Sequence, residues 1–239
     1  MNYAFSLCLW LITSVCLAQQ NNPDKEILLT SRLHSAGHFP YTGSLLNNHL
    51  NADLNLYVRY KKAGFFVFQS LDLESKNSDI TYHQTGLFYK IRFSPTLSLT
   101  PYLGYLLIQT QRFYDTGSDV FAALVPSFQS GRLKIENTSL FTNVLELGDS
   151  RSLANRLQIQ YALNNMSLSL FLFHNIKLSG QNPSLSGALS IQFPKVELFK
   201  QVPIQSSLLL QTYLSDYKPS YALRRGIVFS FTFPIIIKP

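Results

Sequence analysis

Charge is scarce in this sequence. Only 14% of its 239 residues are Asp, Glu, Lys or Arg, against roughly 25% in an average soluble domain. A soluble barrel or sandwich turns a densely charged exterior to water, and this chain has too few charges to build one. It is nevertheless 46% hydrophobic and 13% aromatic. That excludes a disordered chain, which would be charged and poor in aromatics. Cysteine is missing from almost the whole chain: Cys8 and Cys16 both fall within the first eighteen residues, as does Trp10, the only tryptophan. An exported domain of this size without disulfides needs another means of support. A closed barrel in a membrane, where every backbone group pairs internally, is one. Long apolar runs are also missing after the N-terminal stretch, which excludes a transmembrane helix there. Any membrane crossing has to be made by strands.

The first stretch, Met1 to Ala18, is apolar and uncharged and ends on a small residue. It then gives way abruptly to Gln19-Gln20-Asn21-Asn22. This predicts a cleavable secretory signal peptide over 1–18, with the functional domain over 19–239. The apolar core is too short for a membrane anchor, which needs about 20 residues. Ser14 and Val15 before Cys16 do not make a lipoprotein site.

The remainder of the chain alternates between apolar and polar residues. In the segment 50–60, Leu50, Ala52, Leu54, Leu56, Val58 and Tyr60 fall on one face. Asn51, Asp53, Asn55, Tyr57 and Arg59 fall on the other. Period two is the signature of a strand with one apolar and one polar side. The pattern returns with Phe65, Val67, Leu71 and Leu73 against Ser70, Asp72 and Glu74. It returns again with Leu87, Tyr89, Ile91 and Phe93 against Phe88, Lys90 and Arg92. Leu157, Ile159 and Tyr161 oppose Arg156, Gln158 and Gln160, and Ile227, Phe229, Phe231 and Phe233 oppose Val228, Ser230 and Thr232. About twelve such segments are expected, over 26–33, 49–60, 64–74, 80–93, 97–110, 119–128, 132–145, 152–162, 166–176, 184–193, 203–213 and 222–233. Most are near the roughly 9–11 residues that a tilted membrane strand needs.

Every second link is short: Lys61–Gly64, Ser94–Thr96, Gln129–Gly131 and Asn164–Asn165, with Pro194–Val202 the longer exception. Short turns on one side of the membrane are a feature of bacterial single-chain barrels. No link is long enough to predict a folded plug. Even the longest, His34–Asn48, is expected to be a polar extracellular loop.

These features resemble the small outer-membrane β-barrels of Gram-negative bacteria, with porin-like architecture and no single family matched. The alternating phenylalanines near the C-terminus resemble the closing strand of such barrels. Those chains commonly end on an aromatic residue, whereas this one adds Pro234-Ile-Ile-Ile-Lys-Pro239 as a short apolar tail. The resemblance implies an all-β fold, a transmembrane antiparallel up-and-down β-barrel of about twelve strands. It also implies location in the bacterial outer membrane after export, and contact with outer-membrane lipid, lipopolysaccharide and other outer-membrane proteins.

No motif marks a catalytic, cofactor or metal site, and none is expected. His34-Ser-Ala-Gly-His38 has a zinc-binding spacing only on a helix, and Gly37 and Pro40 oppose a helix. A lipid hydrolase would need a serine and a histidine together at the rim. Ser35 with His34 or His38, or the pair His174-Asn175, are the only candidates, and His34 and Ser35 point to opposite faces. The net charge of +7 is spread thinly, without the basic run or aromatic platform of a nucleic-acid binder. The inward faces are expected to carry Arg59, Lys90, Arg92, Lys134 and Arg156 against Asp53, Asp72, Glu74 and Glu136. Such an excess in a pore favours anions. The bland alternative is that these groups pair across a lumen filled by Tyr57, Phe66, Phe68 and Phe88. Tyr41, Tyr60, Tyr89, Tyr105, Tyr114, Tyr161, Tyr213, Tyr217 and Tyr221 are expected in aromatic girdles. With a filled lumen, the first reading is a non-enzymatic accessory or structural subunit of an outer-membrane complex for assembly, secretion or uptake. The alternative is a narrow passive channel for small solutes, which a Ser/Gln-rich lumen would favour. A lipid hydrolase is the third.

Overall fold

The computed structural model describes residues 25–40, 43–74, 80–107, 118–145, 151–177, 183–198, 202–218 and 222–237. The expected signal peptide, 1–18, lies outside them. The described residues form twelve barrel strands: β1 (Lys25–His34), β2 (Asn51–Tyr60), β3 (Ala63–Asp72), β4 (Ile80–Tyr89, resumed at Ile91–Arg92), β5 (Leu97–Leu107), β6 (Ser118–Ser130), β7 (Leu133–Thr142), β8 (Ser152–Ala162), β9 (Ser167–Lys177), β10 (Ser184–Leu198), β11 (Val202–Tyr213) and β12 (Arg225–Ile237). Each pairs antiparallel with its neighbour in sequence. β12 returns to β1, from Ile27 opposite Ile237 to His34 opposite Ser230. The sheet is therefore closed, and no edge is left.

The side chains sort as alternation demands. Leu54, Tyr60, Phe65, Leu87, Leu103, Leu124, Leu170, Ile227 and Phe229 stand exposed on the outer wall. Asn51, Asp53, Phe66, Phe68, Gln84, Phe88, Phe121, Ser169, Ser186 and Gln211 are buried inside. Exposed leucines and phenylalanines around a whole barrel make an apolar band suited to lipid. Tyr60, Tyr89 and Tyr161 stand exposed on the outer wall at the short-turn end, the periplasmic end by the usual rule, and Tyr105 near the other end. Tyr213 departs from the expected girdle: it is buried within the barrel, with its hydroxyl 2.9 Å from Ser44 Oγ. Tyr41, Tyr114 and Tyr221 lie outside the described residues.

Two differences at the C-terminal side come from backbone pairing. Pro194–Leu198, expected in a link, continues β10 past a bulge between Gln192 and Lys195. A bulge accommodates Pro194, which has no N–H to give to a ladder. Beyond Phe233, residues Pro234–Ile237 prolong β12 and pair with Thr30–Ile27 of β1. The closing seam is longer as a result.

The inner wall is lopsided. On β2–β6, rings fill the bore: Tyr57 stacks on Phe88 (centroids 4.6 Å apart), and Phe66 meets Tyr102 (5.6 Å) and Phe121 (6.4 Å). Gly86 and Gly104 face each other across β4 and β5. A Cβ on Gly86 would come within 3.0 Å of the Phe66 ring, and one on Gly104 within 2.8 Å of the Phe121 ring. The two glycines make the space for those rings. On β8–β12, apart from Arg156 and the larger side chains that meet the outer end (Phe171, Phe173, Leu209, Tyr213 and Val228), the inner residues are small and polar. Gln160 donates to Ser167 Oγ (3.2 Å), and that hydroxyl donates to Gln192 Oε1 (2.7 Å).

The two faces predict opposite responses to the same charge. On β2, Leu56 points to lipid and Asn55 to the lumen. Leu56→Arg should cost about 2–4 kcal/mol of folding stability in lipid, because it places a charge in the hydrocarbon band. Asn55→Arg should cost far less. Urea unfolding of both variants in lipid vesicles checks the difference, and equal costs would mean that the faces are misassigned.

Candidate functional site: a basic vestibule beneath an inward-folded hairpin

The lumen has two compartments. At the long-link end, the link after β1 turns inward instead of projecting outward. Gly37–Phe39 and Ser44–Asn47 form a small hairpin, joined to the chain before β12 by a bridge between Leu45 and Leu223. The sequence predicted an outward polar loop here and no plug. The correction has a physical basis in the anchors. Leu45 is buried with Ala36 and Val228. Ser44 meets Tyr213, and Arg156 Nη1 on the far wall donates to the Pro40 carbonyl (3.3 Å). Asn47 Oδ1 accepts from the N–H groups of Gly37 (2.9 Å) and His49 (3.1 Å) and from Asn51 Nδ2 (3.0 Å). Asn47 Nδ2 and His49 both reach Asp72 Oδ2, at 3.1 and 2.9 Å. Gly43 turns the hairpin with φ +64°, and the Phe173 ring occupies the place a Cβ would take.

Of the His34–His38 pair, His38 lies in this plug and His34 at its root on β1, and they do not converge on a metal. One ring nitrogen of His34 lies 2.7 Å from Ser230 Oγ, and the other lies 2.7 Å from Asp53 Oδ2. A carboxylate only accepts, so the ring nitrogen on the Asp53 side donates to it, and the Ser230 hydroxyl bonds the other nitrogen. This is the bonding order of a nucleophile, a base and an orienting acid. Its partners lie 19 and 196 positions from His34, so local spacing could not reveal it. All three side chains are buried, with Ser230 only 7% exposed, and they join β12, β1 and β2 under the hairpin. The arrangement works as a joint. Ser35 takes no part: its hydroxyl accepts from the N–H of Phe229. His174 points outward and Asn175 inward, so that pair does not form a site either. His38 is enclosed and its Nε2 has no partner. Burial chiefly, aided by His34, Arg32 and Arg156 and opposed by Asp53, pushes its pKa from 6.5 to about 3.

Below the plug lies a cavity of about 400 Å³. Lys90, Arg92, Lys134 and Arg156 line it, with Glu136 as the acid and Tyr57, Phe66 and Tyr102 as the aromatic side. Glu136 is shared, with Lys134 Nζ at 2.8 Å and Arg156 Nη2 at 3.5 Å. Arg59 is held by Glu26 (2.9 Å). Among the described residues Lys90 and Arg92 have no carboxylate partner. The sequence placed all these cations inside, and the structure gathers Lys90, Arg92, Lys134 and Arg156 around one vestibule toward the short-turn end, with Arg59 outside its lining. Asp53 and Asp72 are instead drawn to the plug, and Glu74 sits at the mouth, accepting from the Leu50 N–H (2.8 Å).

No family model matches the sequence, and no curated protein matches it. Solved structures do. The fold is porin-like. It is similar to the KdgM porin (TM-score 0.57, 7% identity, covering 87% of this chain and 97% of that one). It is also similar to the NanC porin (TM-score 0.57, 8% identity, covering 87% and 98%). An outer-membrane channel from Pseudomonas putida F1 is a third (TM-score 0.51, 11% identity, covering 90% and 96%). At these identities the likeness is one of architecture.

Two predictions concern the plug. Gly43→Ala should loosen it, since the left-handed backbone alone costs about 1–2 kcal/mol with a side chain and the Cβ also meets Phe173. Protease cleavage within 40–48 on intact cells should rise, and unchanged resistance would show that the hairpin is not held there. Acid should act in the same direction. A histidine whose folded pKa is depressed stabilises the fold above its unfolded value of 6.5, and that stability is lost as pH falls toward 3. Single-channel current should therefore become noisier or larger between pH 6.5 and 4, and His38→Gln should flatten the change.

Proposed function

We propose that the protein is a narrow passive channel of the outer membrane that favours small anionic solutes. The observation that carries this reading is the vestibule, where Lys90 and Arg92 face open lumen without carboxylate partners. Unpaired cations lining a water-accessible bore raise the local concentration of anions and repel cations. The Ser/Gln-lined wall of β8–β12 gives a solute hydrogen-bonding groups that any polar molecule can use. Porin-like architecture supports a channel over the accessory subunit that the sequence suggested first. One neighbour is described as a KdgM porin in complex with disordered oligogalacturonate, an acidic ligand.

The accessory reading keeps one specific support, the hairpin that fills the outer half of the lumen. Co-purification of a stoichiometric outer-membrane partner would favour it.

The deciding measurement is reversal potential in a planar bilayer under a salt gradient. The expected result is discrete conductance steps with anion selectivity. Lys90→Gln together with Arg92→Gln should move the reversal potential toward the cation side while leaving a folded barrel. Absence of unitary steps, or cation selectivity in the unaltered protein, overturns the proposal.

A further inference from the structure

The outer wall carries a hydrogen-bonded polar patch that lipid does not explain. Asn137 and Ser139 on β7, Asn155 on β8 and His174 on β9 are adjacent on the outward face, since Ser139 pairs with Asn155 and Asn155 with His174. Asn137 Nδ2 donates to Ser139 Oγ (3.1 Å), and Ser139 Oγ donates to Asn155 Oδ1 (2.8 Å). The ladder ends there. Among the described residues, the Asn155 amide N–H groups, the Asn137 carbonyl oxygen and the His174 ring have no partner.

Depth makes this unusual. Tyr161 marks the periplasmic side of β8 and lies six residues from Asn155. At ~3.3 Å per residue on a strand tilted by ~40°, that is a rise of about 15 Å, inside an apolar band about 25 Å tall. Elsewhere the outward positions of the barrel include Leu56, Leu208 and Phe229. Donors and acceptors left open in hydrocarbon are costly, and side chains of these types form hydrogen bonds between neighbouring membrane segments.

We infer that this face is the contact between two copies of the chain, related by a two-fold axis along the membrane normal. Both copies have the same orientation in the membrane, so residues of similar depth meet. A two-fold contact is self-complementary. With β8 at its centre, β8 meets β8, and β7 meets β9 of the second copy. Asn155 then faces Asn155, whose amide both donates and accepts. Ser139 and Asn137 face the imidazole of His174 in the second copy. Each open group on the ladder finds its complement on the same patch, which suits a second copy better than an unrelated segment. A second outward polar pair, Gln69 and His83 on β3 and β4, spans only two strands and has no hydrogen-bonded ladder. It serves as a control. The inference does not depend on what the lumen passes.

Residues 19–239 contain no cysteine, so with Cys8 and Cys16 replaced by serine, single-cysteine variants of the full chain can be oxidised in their own outer membrane and read on non-reducing gels. Asn155→Cys should give a disulfide-linked pair of copies, several-fold more abundant than with Leu208→Cys or Gln69→Cys. Ser139→Cys and His174→Cys should cross-link to each other when co-expressed with different tags, and much less to themselves. Native mass spectrometry of the unaltered protein in mild detergent should show two copies, and Asn155→Leu should show one copy of a still heat-modifiable barrel. The inference is overturned if Asn155→Cys dimerises no better than Leu208→Cys or joins another polypeptide. Preferential self-pairing of Ser139→Cys, or a single copy in the native spectrum, overturns it too.

Discussion

Closure of the sheet through β1 and β12 is the constraint on which everything else rests. A strand in a bilayer has no water to satisfy its N–H and C=O groups, so an open edge would be prohibitive. The seam between Ile27–His34 and Ser230–Ile237 removes that edge. Once the sheet is closed, its two faces lie in different solvents. Period-two alternation then assigns each residue to lipid or to lumen, and a slip of one residue would exchange the two sets. The sparse charge of the sequence is a consequence, because only one face can hold charge.

The seam also organises the outer mouth. His34 is the last residue of β1 and sits opposite Ser230 of β12 and Asn51 of β2. Its bonds to Ser230 and Asp53 bind the three strands where the chain leaves the wall to form the hairpin. The plug is thus held at its root by the closure itself and at its tip by Phe173 of β9, Tyr213 of β11 and Leu223 before β12.

Alternation made the barrel legible in the sequence. Leu54 and Asn55, or Leu87 and Phe88, could be placed on their faces from the pattern alone, and so could the lumenal cations. The plug was not legible, because its contacts join positions far apart. Nothing near Gly43 announces Phe173, and nothing near His34 announces Ser230. Tyr213 looked like a girdle residue because a tyrosine near a strand end fits either face until the hairpin supplies Ser44 as a partner. The outward ladder was hidden for a related reason. Asn137, Asn155 and His174 are ordinary residues singly, and become a patch only when the register of β7, β8 and β9 brings them side by side.

The plug and the vestibule are coupled through the supply of carboxylates. Few acidic side chains face the lumen, and their positions decide where positive charge is left over. Asp53 is used by His34, with Arg32 at 3.9 Å, and Asp72 by His49 and Asn47. Both lie at the outer end. Glu26 is held by Arg59, and Glu136 is divided between Lys134 and Arg156. Among the described residues no acid then remains near Lys90 and Arg92. Arg156 touches both compartments, since it reaches Glu136 in the vestibule wall and the Pro40 carbonyl in the plug. The same pairing that seals the mouth therefore leaves the inner compartment positive.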